Sequence, residues 1–427
     1  MRWSTVVRSS SATWMAPLLG VFILTLLSKD LTSWPTFGYW TGVTGTATFA
    51  LAFVAPACAA SGAWEGSRLR RGRVSMLVPA RAPLATSGVM LIPVFALGTI
   101  GMGLALALAA FAASPGSGLP HPGIVGEWLL IIAAHSVAGF ALGRAVPIVV
   151  AVPVSLLVSF VVLAYPSAME PLWMRHLVGS GLRSCCTVAE VPDGRAIGAG
   201  CVVALAILVA ALVLGSRAHR VVAAVAAGVL VLTGIGVGSW LAKPLDVRAS
   251  TARPTNDLKC SGEQPQICLW PELSGQSEDI RRTVRSVRDR LMGVGLDIPG
   301  TITTAERAQN GELSLGLEVG STPEQMTMAF TGALLPDGPP ACANSQQQPG
   351  AAAYGPVSAW LDMTAGLKVT DRDGRYSPED VAVARKVRDS PKSAQLAWYK
   401  HNRQALSDCT TEPVVSAAHK VDAGATR

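Results

Sequence analysis

Seven apolar runs in residues 1–242, each near the length of a bilayer crossing, constrain this chain more than any other feature. A hydrocarbon core about 30 Å thick takes roughly 20 residues of helix. The runs are read at about Ala12–Ser28, Tyr39–Ala60, Leu84–Ala113, Ile124–Gly143, Val146–Tyr165, Ile197–Gly215 and Val221–Leu241. Backbone polar groups in lipid must be satisfied within the segment, so such runs fold as helices. The first follows Arg2 and Arg8, but "SKDLTSWPTF" after it lacks the small-residue pattern of a signal-peptide cleavage site.

Charge divides the chain at the same place. Residues 1–242 hold 14 Lys+Arg and 6 Asp+Glu, a net of +8, and the remainder holds 21 and 22, a net of −1. Only 15% of residues are charged, and mean hydropathy is +0.39. The expected fold class is therefore an all-α polytopic membrane bundle of six plus one helices, followed by an α-rich or α+β soluble domain. The expected divisions are a transmembrane domain at 1–242, a linker at 243–258, an outer domain at 259–412 and a disordered tail at 413–427.

The positive-inside rule orients the bundle. With the N-terminus in the cytoplasm, the inner side holds Arg2, Arg8, Arg68, Arg70, Arg71, Arg73, Arg81, Arg144, Arg217 and Arg220. The outer side holds Lys29, Arg175, Arg183 and Arg195. Seven crossings then place residues 243–427 outside the plasma membrane. The positive charge is spent on topology, so no nucleic-acid partner is implied; the lipid bilayer is the expected surrounding.

Cysteine positions agree with this orientation. Cys58 and Cys201 fall inside helices, whereas Cys185, Cys186, Cys260, Cys268, Cys342 and Cys409 fall in outer segments. An even number on an oxidising side points to disulfides. Four cysteines in the outer domain allow three pairings, of which Cys260–Cys268 with Cys342–Cys409 is preferred. Adjacent Cys185 and Cys186 are left unassigned.

Chemistry inside the bilayer is sparse. His135 is the intramembrane polar candidate, read either as functional or as an imidazole bonded to a neighbouring helix. Glu127 is placed at the interface. The pairs Gly38/Gly42, Gly139/Gly143 and Gly234/Gly238 allow close helix approach, within the bundle or across a dimer.

The outer domain shows "ICLWPEL" as a strand broken by Pro271, an alternating strand at 313–319, and an amphipathic helix at 278–292. That helix buries Ile280, Val284, Val287 and Leu291 and turns its arginines to solvent. Helix starts are marked by Thr322-Pro323 with Gln325, and by Ser377. No H-E-x-x-H, G-x-S-x-G or P-loop occurs, so no catalytic residue, metal ligand or cofactor is assigned and the chain is not read as an enzyme. Asp371-Arg372-Asp373-Gly374 shares only its opening with a calcium loop and reads as a turn.

Two loops carry a resemblance. "AWEGSRLRRGRVSMLVPAR" joins helices two and three on the inside, and "PLWMRHLVGSGLRSCC" joins helices five and six on the outside. Over about residues 1–215 this layout resembles the ABC-2-type exporter permeases. In them the first loop forms a coupling helix that docks on a separate cytoplasmic ATPase, and the second forms short external helices. The resemblance implies Trp64, Glu65, Arg68, Arg70, Arg71 and Arg73 as docking residues, an ABC ATPase partner, and a homodimer or heterodimer of membrane subunits. The chain departs from the family in its short N-terminal lead, in Gly66 and Gly72 within the loop, and in its seventh span and outer domain. "CSGEQPQICLWPE" is similar to a segment of actinobacterial membrane proteins associated with transporters. The alternative reading is a membrane-anchored binding or sensing protein that transports nothing.

Overall fold

The computed structural model describes residues 7–33, 36–72, 83–215, 220–309, 311–340, 342–343, 349–370 and 374–415. The chain divides into two compact units, 1–251 and 252–427. The division falls inside the stretch expected to be a linker.

The first unit is a helical bundle. Seven helices are long and apolar enough to cross a membrane: α1 Ser11–Thr32, α2 Trp40–Arg71, α3 Ser87–Ala113, α4 Pro122–Ala145, α5 Ile148–Ser167, α6 Gly194–Leu214 and α7 Val221–Leu245. The largest difference from the sequence reading concerns α2. It continues past Ala60 to Arg71, through Gly62 and Gly66.

Close packing against α4 is the reason. A Cβ at Gly62 would collide with the Ser136 carbonyl, and one at Gly66 with the Phe140 carbonyl. In return, Gly139 and Gly143 admit the Ala59 and Ala63 carbonyls. Small residues let helix backbones approach where lipid offers no hydrophobic drive between them. Ser67 Oγ also donates to the Gly143 carbonyl at 3.1 Å. The other glycine pairs serve internal packing too: Gly42 meets the Cys186 carbonyl, Gly234 meets Ala206, and Gly238 meets Val203 and Leu177.

At the end of the bundle opposite Arg71, two 3-10 turns, Leu172–Val178 and Ser180–Ser184, form a cap segment. The cap packs on the start of α2, with the Leu182 carbonyl 2.7 Å from the Cβ position of Gly45. His176, Val178, Leu182, Cys185 and Cys186 are buried. The loop therefore packs as a cover on this end of the bundle. Two short strands, β1 Glu190–Pro192 and β2 Ser250–Ala252, pair beside it.

The second unit mixes α and β. Its sheet has the order β3-β4-β5-β6, with β3 Lys259–Ser261, β4 Gln266–Leu269, β5 Thr301–Thr303 and β6 Glu312–Ser314. β3 and β4 are antiparallel with Cys260 opposite Cys268, and the next two pairings are parallel. A parallel pairing needs a crossover. α8, Ser277–Met292, provides it between β4 and β5 and buries Ile280, Val284, Val287 and Leu291 as its spacing requires.

Four more helices complete the unit: α9 Pro323–Gly332, α10 Tyr354–Ala365, α11 Pro378–Arg388 and α12 Lys392–Ser407. α9 and α11 open on capping boxes, Thr322 with Gln325 and Ser377 with Asp380. The core joins Ile267, Ile302 and Leu313 of the sheet to Phe330, Trp360 and Trp398. The strand read at 313–319 keeps its alternation, since Leu313, Leu315 and Leu317 are buried, but only Glu312–Ser314 enters the sheet. Pro413–Val415, assigned to the tail, is held: Trp398 Nε1 donates to the Val414 carbonyl at 2.7 Å, and Asn402 Oδ1 accepts from Val414 N at 2.9 Å. The rest of the expected tail, 416–427, lies outside the described residues, as do Asp371–Asp373.

Candidate functional site

Two places in the first unit gather polar side chains that the apolar packing does not require. One is the far tip of α2, which carries the residues expected to dock a partner. Trp64, Glu65, Arg68, Arg70 and Arg71 stand on the last turns of α2 and not on a separate loop helix. Arg73, like Arg2, Arg81 and Arg217, lies outside the described residues.

Glu65 is buried, 1% exposed, and works inside the bundle. It accepts from the backbone N–H of Ser11 at 2.7 Å and from Ser11 Oγ at 3.0 Å. These are unpaired donors at the start of α1, and a carboxylate also complements the helix dipole there. Arg68 pairs with Glu65 at 2.8 Å and donates to the Ser9 carbonyl at 2.6 Å. Glu65 and Arg68 therefore form a hook that holds the first turn of α1. Trp64, 44% exposed, remains available together with exposed Arg70 and Arg71. Arg144, at the end of α4, reaches the Gly215 carbonyl at 3.4 Å. The beginning of α1 and the ends of α2, α4 and α6 thus share one end of the bundle.

At the opposite end lies a buried cluster that the sequence reading missed. Glu127 on α4 is 1% exposed and does not reach an interface. Among the described residues neither carboxyl oxygen has a hydrogen-bond partner. Two glycines make its space: a Cβ at Gly200 would collide with Glu127 Oε1, and one at Gly179, in a left-handed turn of φ 74°, would lie 3.1 Å from it. The Gly200 Cβ position is also 3.3 Å from the His176 carbonyl.

His176, in the cap, donates from Nε2 to the Asp246 carbonyl at 3.0 Å, while Nδ1 is buried without a partner. Burial pushes its imidazole below the ordinary histidine range, against the raising effect of the Asp246 carbonyl. Trp128 Nε1 is likewise buried and unpartnered. A polar group buried without a bond costs about 1–3 kcal/mol by protein mutational data. Ionisable groups kept inside a bundle mark functional positions. The only sequence signal was Glu127 itself within an apolar run, read as interfacial because it stands one turn from the helix start. His135, the polar candidate named from sequence, is by contrast satisfied: its Nδ1 lies 2.7 Å from Ser159 Oγ.

The six cysteines outside the membrane-length helices pair at disulfide distance as Cys185–Cys186, Cys260–Cys268 and Cys342–Cys409. Cys58 and Cys201 are free. Among the described residues, no three His, Cys, Asp or Glu side chains are gathered as a metal site.

These features define a multi-pass helical membrane protein that carries a separate mixed α and β domain. Residues 267–409, most of the second unit, match the family model of a domain of unknown function, DUF7224. No curated protein and no solved structure matches the chain.

Proposed function

We propose that the chain is the membrane subunit of an ABC-2-type exporter, driven by a separate ATPase that docks on the tip of α2 through Trp64, Arg70 and Arg71. The observation that supports this reading is mechanical. The exposed tip belongs to a helix fixed to α4 by four interlocked glycines and to the start of α1 by the Glu65–Arg68 hook. Packed elements of this kind shift as units, so a push at the tip moves α1, α2 and α4 together. The cap over Glu127 lies at the other end of the same helices, where an outward opening would form. The functional unit in this reading is a dimer of membrane subunits with two ATPases, and alternating access requires two bundle states that differ in substrate affinity.

The test is co-purification in mild detergent. Wild type is compared with Trp64→Ala combined with Arg70→Ser and Arg71→Ser; Arg68 is left intact because it holds Glu65. An ATPase recovered with wild type and lost from a variant that still inserts is the expected result. If wild type yields no ATPase in several detergents, the exporter reading fails and the chain is an anchored binding module.

A further inference from the structure

The second unit contains a cleft of about 550 Å³ where α8, the start of α9 and the turn after α10 meet. Its charge is unbalanced. Arg282 and Arg290 of α8 and Lys368 after α10 line it, opposed by the single carboxylate of Glu324. That carboxylate is shared with Arg375, whose Nη2 sits 3.1 Å from it.

Two of the three cations are uncommitted or loosely held. Lys368 has no bond or ion pair among the described residues. Arg282 pairs only with Asp279 at 3.0 Å, and both groups are largely exposed. Pairs of that kind contribute little and exchange readily. Arg290 is different, because it is fixed in place. Its Nη1 donates to the Ala365 carbonyl at 2.7 Å, at the C-terminus of α10. The next residue, Gly366, ends the helix at φ 100°, and a Cβ there would collide with the Arg290 guanidinium. One N–H group is thus spent on holding the fork, and the others remain for a ligand. Thr283 and Ser286 add hydroxyls along the same wall.

The helical spacing of α8 predicts a solvated face for its arginines. For Arg281 that holds, because Glu278 answers it one turn back at 3.2 Å. In the cleft Asp279 answers Arg282 in the same way, but no acid pairs with Arg290 or Lys368 among the described residues.

We infer that this cleft is a binding site for a small polyanion of the phosphate-ester class. A concave wall lined by one sign of charge focuses the field and concentrates counter-charged ligands. A planar guanidinium matches the oxygens of a phosphate two at a time, and a lysine adds a point charge. The volume lies within the range of small-molecule sites and exceeds what one inorganic ion fills. The ligand therefore carries more than one anionic group, or one anionic group on a larger body that covers the apolar floor of Val287 and Leu367. This inference does not rest on the exporter reading.

The test uses the full chain in detergent and tripolyphosphate as the probe, followed by titration calorimetry. Saturable one-to-one binding is expected. Arg282→Gln with Lys368→Gln weakens it about tenfold or more, a change of 1.4 kcal/mol or greater. Arg290 is spared because it also holds the end of α10. A charge-matched control, Lys386→Gln with Lys392→Gln on exposed positions of α11 and α12, leaves the affinity unchanged. Absence of saturable binding overturns the assignment. So does a loss that is equal in the cleft variant and the control, because that result makes the attraction one of net charge alone.

Discussion

At the scale of single residues, identical side chains meet opposite fates. Glu65 and Glu127 both stand in apolar helices, yet one receives two donors from Ser11 and the other faces glycines. Nothing local to either residue separates them. The difference lies in Ser11, 54 positions away, and in Gly200 on another helix. Sequence periodicity reaches a residue's own face but not the side chain that a distant element brings to it. His176 carries a prediction at this scale. Its folded pKa lies below the ordinary value of 6.5, chiefly through burial. His121, at the start of α4, shifts the same way for the same reason. A base with a depressed folded pKa leaves the unfolded chain holding more protons as pH falls. Stability is therefore full above the ordinary histidine value and declines as pH drops through it toward the folded value. The thermal midpoint in detergent is expected to fall between about pH 7.5 and pH 5.5. His121→Gln with His176→Gln should flatten that fall; an unchanged slope refutes the assignment.

The elements were legible where periodicity and capping act alone. The apolar stripe of α8, the caps at Thr322 and Ser377 and the break at Pro271 all follow from neighbours in the chain. The apolar run behind α2 ends near Ala60, yet the helix continues beyond it through Gly62 and Gly66. Their role is set by α4, which the local sequence does not contain. Gly139→Ala tests that role. The added methyl would collide with the Ala59 carbonyl, and backbone cannot rotate away as a side chain can. A loss of about 1–3 kcal/mol is expected, the range for overpacked interiors. It would appear as a lower unfolding midpoint in detergent. Gly103→Ala, with nothing within 4 Å of its Cβ position, should be neutral or stabilising. Equal behaviour of the two variants would show that α2 and α4 are not locked.

At the scale of the whole molecule, the charge split located the change of character near residue 242, and the structure divides the chain at 251/252. The remaining stretch forms a turn and β2, short elements that composition does not announce. Whether the second unit is outside is a question its cysteines can answer. Cys342 and Cys409 are separated by 67 positions. Closing a loop of that length stabilises by about 4 kcal/mol in the chain-entropy model. Cells alkylated before lysis should yield both residues unlabelled, and reductant should lower the unfolding midpoint of the second unit. Free thiols at both positions would place that unit on the reducing side and reverse the orientation.

The hook between Glu65 and Ser11 also has a temporal meaning. A ribosome makes α1 well before the end of α2. During that interval Ser10 caps the N–H groups of Ala12 and Thr13, but the Ser11 N–H has no carboxylate to receive it. The seating of α1 is thus deferred until a later helix is made. It is locked only when the arginine-rich end of the second has been synthesised and retained on the same side, so correct insertion of α2 becomes the checkpoint for α1.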